Sequence, residues 1–429
     1  MAVLPVIFGK KLRESFTLAL LALLPFHALL VTVGTKWLLG PAAGAPMPIL
    51  AGWKEGLLAA ILLIALMEFM RKPSFKIDLT DGLIIALLAI ALLLPKTNFL
   101  FGFKYDFIPL VAFLILRRVS WSEKFLARIE SLLLWVAGIA ALYGILSFFL
   151  PTAFFTSLGY SDAHSLYLPA GPLAAFQQIS GTSVRRIQSA FSGPNQFGIW
   201  LLIPIGVCLA GITHIGEKLK MQNAKCKANY QSPMFPARHL SFFIFLAAAL
   251  IFTFSRSAWI AAFVIGCVAV RRMVSKKFFS CCILSFLILA TGMSLLFPPV
   301  FIRPISLAGH VERPLRAVLT MIKHPFGLGL GSAGPAANRT HEPCVYLERG
   351  ADPSWAASSP QLCVFAGDLQ IQPIGHVCDC AMLPENWYIQ IGVELGVPGF
   401  LLYGGLILLV LRRLSEGGRR KEKTENAFS

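Results

Sequence analysis

In a chain with only 14% charged residues, a few polar side chains stand where they could do chemistry. Arg185 and Arg186 lie just ahead of Pro194-Asn195, in SVRRIQSAFSGPNQFG. Arginine is the side chain suited to a two-pronged grip on phosphate or carboxylate; the plainer reading is that both snorkel to lipid headgroups. Arg256, in FTFSRSAWIAA, interrupts an apolar stretch over 240–270. A charge there is costly unless it is paired or acts on a ligand in a wet cavity, although a turn between two membrane helices also needs some polar residues. His324 opens HPFGLGLGSAG and can be a base, a phosphate donor or a helix C-cap. Glu385-Asn386 directly precede the last apolar run, and Glu394 falls more than two turns inside it. A carboxylate at that depth needs a partner, and a Glu–Arg lock within the bundle is the structural expectation.

The segments that must position these residues are legible from pattern. Gly327, Gly329, Gly331 and Gly334 argue against a packed strand or helix and for bare backbone at a binding surface; a flexible turn is the alternative. Upstream, Pro314 fits the first turn of a helix running to Lys323, with Leu315, Val318, Leu319 and Ile322 on one face, as expected of a helix lying on a membrane surface. Cys344, Cys363, Cys378 and Cys380 share this region, whereas Cys208, Cys267, Cys281 and Cys282 lie in apolar runs and Cys226 in a basic loop. The even set suits one or two disulfides in an oxidising compartment. Cys378-Asp379-Cys380 with His376 holds metal-ligand residue types, but C-x-C is not the usual C-x2-C spacing, and no metal is expected.

At 56% hydrophobic residues, with 34 phenylalanines, the chain is expected to be an all-α polytopic membrane protein. The net charge of +17 sits in short Lys/Arg clusters between apolar runs, which fits topology signals better than a nucleic-acid surface. Apolar runs near 15–34, 50–70, 79–95, 106–117, 127–150, 194–213, 239–255, 257–270, 278–299 and 387–411 predict about ten crossings. The first is preceded by Lys10, Lys11 and Arg13 but is too long for a signal peptide, so it reads as a retained helix. Placing the basic loops inside, with Lys72, Lys76, Arg117, Arg118, Lys225, Lys227, Arg272, Arg412 and Arg413, puts both termini in the cytoplasm of a bacterial inner membrane. The expected divisions are 1–193, N-terminal helices and first outer loop; 194–299, central helices; 300–386, a large periplasmic loop; 387–411, the last helix; and 412–429, a disordered cytoplasmic tail.

Taken together, R-x-x-x-x-F-x-x-P-N from Arg186 to Asn195, S-R-S-A-W from Ser255 to Trp259, H-P-x-x-G-x-G at His324, and E-N followed by nine residues and G-V-P-G resemble the O-antigen ligase and polymerase superfamily, over the chain from Arg186 onward. The resemblance implies a metal-independent glycosyltransferase without cofactor. Its donor would be an undecaprenyl-diphosphate-linked saccharide, its acceptor a glycan or lipid core, and its setting the periplasmic face of the bilayer. By resemblance Arg186 and Arg256 would grip the diphosphate, with Arg185, Asn195, Asn386 and Glu394 supporting. The ligases carry a histidine where this chain has Glu385, so the base is left among Glu385, His324 and His376. A carboxylate can serve if apolar surroundings raise its pKa. A lipid-linked saccharide transporter and a non-catalytic assembly subunit are the rival readings.

Overall fold

The computed structural model describes residues 3–40, 46–71, 77–95, 98–161, 173–179, 182, 184–224, 234–271, 274–301, 304–347, 356, 360, 362–366 and 369–427. Lys72, Lys76, Lys225, Lys227, Arg272 and Cys226 lie outside the described residues. Helices dominate. Seven among the described residues are long and apolar enough to cross a membrane: α1 (Gly9–Leu39), α2 (Pro48–Arg71), α4 (Phe99–Leu116), α5 (Glu123–Phe149), α6 (Pro194–Thr213), α9 (Phe279–Leu296) and α11 (Trp387–Leu414). Three shorter apolar helices complete the set: α3 (Leu79–Leu93), α7 (Arg238–Phe252) and α8 (Arg256–Val270). Every apolar run read from the sequence is therefore helical. The amphipathic helix α10 (Pro304–Lys323) lies between α9 and α11 in the chain.

Two expectations about helix limits are corrected. Pro314 is inside α10, which starts ten residues earlier at Pro304. The carbonyl that Pro314 leaves without an N–H partner belongs to His310, on an exposed residue, where water can satisfy it. The tail expected to be disordered continues α11 as helix to Ala427, as its run of Arg, Lys and Glu, all good helix formers, allows.

The chain divides into two compact units. The first comprises 1–64 and 121–303. Its core packs Leu134, Ala137, Ala140 and Ala141 of α5 against Phe197, Leu201 and Ile205 of α6 and Leu246, Ala249 and Leu250 of α7. Alanines on α5 and Gly198 on α6 let the backbones approach closely, in the manner of small residues at membrane helix interfaces; a Cβ at Gly198 would press on Thr253, Ser255 and Ala258.

The second unit comprises 65–120 and 304–429. Ile84, Leu87 and Ala91 of α3 and Phe107 of α4 pack with Leu330 and with Ile391, Leu395 and Leu406 of α11. One end of α3 is an ionic cluster. Asp78 and Asp81 form a capping box; Arg117 reaches Asp78 at 2.6 Å and Asp81 at 3.1 Å, Arg118 reaches Asp81 at 2.8 Å, and Arg413 reaches Asp78 at 2.6 Å. Arg117, with Arg413 assisting, holds the Asp78 carboxyl well below the usual carboxylate range. A small sheet also belongs to this unit: β1 (Cys344–Leu347) runs parallel to β2 (Cys363–Ala366), which is antiparallel to β3 (Leu369–Gln372). Cys344–Cys380 and Cys363–Cys378 are disulfides. A three-stranded sheet of four-residue strands has little core, and bridges of this kind restrict its unfolded states.

Candidate functional site

In the first unit, Arg185–Arg186 pairs as a two-residue strand with Gln177–Gln178, and the following residue is laid against the turn joining α7 to α8, where Ile187 N–H donates to the Phe252 carbonyl at 3.1 Å. Arg186 is thereby carried to that turn. Its Nε donates to the Thr253 carbonyl at 3.0 Å, 67 residues away in sequence; Nη2 donates to Asn195 Oδ1 at 2.7 Å and Nη1 to Gln177 Oε1 at 3.4 Å. These three acceptors are neutral and sit on separate segments, so they set the plane of the guanidinium fork. Arg186 is buried, with 8% of its surface exposed. Arg256 opens α8 three residues beyond Thr253 and donates from Nη1 to the Phe301 carbonyl at 3.0 Å. Phe254, in the left-handed region at φ 49°, lies between Thr253 and Arg256 in this turn. Thus the fold brings Arg186, Asn195 and the segment holding Arg256 to one hairpin tip. Arg185 is tied down differently: it donates to the Leu150 carbonyl at 2.5 Å and lies 4.1 Å over the Phe176 ring.

In the second unit, α11 is broken at Gly396, whose φ is +72°. The break frees carbonyls, and the glycine segment fills the gap: Leu328 N–H donates to the Val393 carbonyl at 3.0 Å, Gly329 N–H to the Glu394 carbonyl at 2.9 Å, and Val397 N–H to the Pro325 carbonyl at 2.8 Å. Gly327, Gly329, Gly331 and Gly334 all have positive φ, between 67° and 97°, and Gly329 and Gly331 are buried. This corrects the expectation of an open backbone surface. The glycines are demanded by backbone packing on backbone: a Cβ at Gly327 would collide with the Glu394 carbonyl and the Gly396 nitrogen.

The three residues considered as bases have different surroundings. Glu385, at φ 55°, has both carboxylate oxygens occupied: Arg313 donates to Oε1 and His310 Nδ1 contacts Oε2. Both partners come from α10 and neither was singled out in the sequence, although His310, Glu312 and Arg313 form a polar knot in an apolar chain. His310 is 55% exposed in its side chain, and its Nε2 has no partner among the described residues. His324 follows the last residue of α10, its N–H donating to the Thr320 carbonyl at 2.9 Å; its exposed side chain has no hydrogen-bond partner among the described residues. His376 Nε2 lies 2.7 Å from Glu342 Oε1. The Asp379 amide and the His376 ring hold the Glu342 carboxyl below its usual range.

Asn386 caps α11, its Oδ1 accepting from the Tyr388 and Ile389 N–H groups at 3.0 and 3.2 Å. Glu394 is corrected in its partner. It is fully buried, and what meets it is Asp106 of α4 together with the Ala333 N–H at 3.3 Å, not an arginine. Asp106 escaped notice though the same signal, an acid inside an apolar run, picked out Glu394. As for a metal, Glu342, His376 and Cys378 bring ligand-type atoms within 4.8 Å of one another. The Cys378 sulfur is bonded to Cys363, however, so it offers no thiolate, the form that binds metal.

Fold and composition define the class: this is a polytopic helical membrane protein. Compared with family models, curated proteins and solved structures, the chain matches none.

Proposed function

We propose that this protein is a membrane glycosyltransferase of the O-antigen ligase and polymerase type, moving glycan from an undecaprenyl-diphosphate carrier to a glycan or lipid-core acceptor at the periplasmic face of a bacterial inner membrane. One observation carries the reading: Arg186, held by Asn195 and the Thr253 carbonyl, is docked on the turn from which Arg256 opens α8 three residues past Thr253. Oriented arginines suit a diphosphate, whose negative charge grows as the sugar leaves, and fixed cations in a low-dielectric setting favour that change more than water does. In the proposed topology ten helices cross, both termini are cytoplasmic, and the segment between α9 and α11 is periplasmic.

The departure at Glu385 has a chemical answer. Glu385 lies in ion-pair contact with His310 Nδ1, and a carboxylate beside one ring nitrogen favours a proton on that side and leaves the other nitrogen to take one from an acceptor. Taking the second unit by itself, Glu385 is assigned the orienting role and His310 that of a base for a hydroxyl through Nε2, with Arg313 bonded to Glu385. His324 and His376 take no part in this assignment.

The test uses the full chain reconstituted in vesicles with a fluorescent polyprenyl-diphosphate oligosaccharide and candidate acceptors. Covalent extension or transfer of the glycan is expected, and His310→Asn should lose at least tenfold in rate at unchanged protein level, given that general-base catalysis contributes about a hundredfold or more. Movement of intact lipid-linked saccharide across the bilayer, with no change in its covalent state, would sink the enzyme reading and favour a transporter.

A further inference from the structure

Deep in the second unit two acids face each other. Glu394 of α11 has none of its surface exposed, Asp106 of α4 has 3%, and the adjacent Gln390 has 4%. Each carboxyl has one oxygen satisfied by the protein: Glu394 Oε1 accepts from the Ala333 N–H at 3.3 Å, and Asp106 Oδ1 accepts from Gln390 Nε2 at 3.2 Å. The remaining oxygens, Asp106 Oδ2 and Glu394 Oε2, are buried with no hydrogen-bond partner among the described residues, and the bond from Gln390, one turn before Glu394 on α11, ties Asp106 to the same stretch of helix, where the two carboxyls interact.

A carboxylate has no hydrogen to donate, so two of them cannot bond to one another. Placed in contact in an apolar interior they repel, and each has lost the hydration that stabilised its charge. Among the described residues no Lys, Arg or His is hydrogen-bonded to either carboxyl. The groups facing the pair are few. Tyr403 on α11 is near enough to sense Asp106 and itself stands against Tyr388. The glycine segment offers only the Gly331 and Ala333 amides. Lys104 and Tyr105 precede Asp106 on α4, and the aspartates of α3 are engaged at its far end by Arg117, Arg118 and Arg413. What the pair of carboxyls lacks is one hydrogen.

We propose that Asp106 and Glu394 form an intramembrane proton-binding site, the two carboxyls holding one shared proton. The proton lets Glu394 keep its second oxygen on the Ala333 amide, and so seats the glycine segment on the broken helix. Without it the carboxyls separate and that seat loosens. The proposal does not depend on what the protein transfers.

Infrared spectroscopy of the full-length protein in lipid nanodiscs at neutral pH tests this, because the carbonyl stretch of a protonated carboxyl is separate from carboxylate bands. Wild type should show a protonated-carboxyl band that shifts on labelling aspartate and glutamate with carboxyl-¹³C, and that is lost or displaced in both Asp106→Asn and Glu394→Gln. Gln and Asn keep shape and supply an N–H to the facing oxygen, so at least one variant should stay folded by size-exclusion chromatography. Absence of the band in wild type, or its persistence unchanged in a folded variant, would overturn the site. A melting temperature that rises when choline is replaced by sodium, and does so in wild type but not in Glu394→Gln, would also overturn it, since a bound metal cation would then be bridging two carboxylates.

Discussion

Arg186 shows why a residue's partners say more than its burial. A snorkelling arginine needs a long stem and a charge but no fixed geometry. Arg186 instead places three of its nitrogens on defined oxygens of Thr253, Asn195 and Gln177, which is how a planar fork is aimed. Lysine keeps the charge and loses the fork. We therefore expect Arg186→Lys and Arg256→Lys to insert and fold, and to reduce glycan transfer by about a hundredfold to a thousandfold, the effect of losing one positioned charge-stabilising contact. Transfer within about threefold of wild type in both variants, at equal protein levels, would leave the arginines as structural residues. The sequence exposed Arg186, Asn195 and Arg256 because polar residues are conspicuous in an apolar chain. His310 and Asp106 are equally conspicuous as polar residues, but what they pair with, Glu385 and Glu394, is supplied only by the packing of α10 and α4 beside α11.

Among the described residues, the length of the apolar runs recovered seven helices long enough to cross a membrane and three shorter apolar ones, because lipid-facing and buried surfaces are both apolar and the rise per residue sets the span. The break in α11 was less legible. The reason for the break is distant in sequence: the carbonyls of Val393 and Glu394 accept from the Leu328 and Gly329 N–H groups. The two features explain each other, since a positive-φ break is tolerated where another strand of backbone satisfies the freed groups. Gly396→Ala should accordingly destabilise by at least about 2 kcal/mol, combining a left-handed conformation unfavourable to a Cβ with collision against the 325–327 backbone. Gly404, in the same helix with open space around its Cβ position, is the control: Gly404→Ala should be neutral or stabilising by up to about 1 kcal/mol. Thermal unfolding in one detergent measures both, and equal melting temperatures for the two variants would refute the account of the break.

At the scale of the whole molecule the question is which ends of the helices share a side. The second unit answers for itself. Arg117, Arg118 and Arg413, remote in sequence, converge on Asp78 and Asp81 at the start of α3, while the far end of α3 leads to Asn98, whose Nδ2 donates to the Gly331 carbonyl at 3.3 Å and to Thr340 Oγ1 at 2.9 Å. The arginine clusters therefore mark one end of this unit and the segment carrying the glycines the other. Lys and Arg near helix ends are retained in the cytoplasm, whereas long loops cross largely regardless of charge, so we propose that the arginine end faces the cytoplasm. The disulfides Cys344–Cys380 and Cys363–Cys378 agree, because such bridges persist in the periplasm and are reduced inside. A reporter that is active only in the cytoplasm should work when fused after Lys421 and fail when inserted beside Ala356, and a reporter active only in the periplasm should do the reverse. Activity of one reporter at both positions would place the arginine and disulfide ends on the same side, and with that the ten-crossing topology and the periplasmic site would both fall.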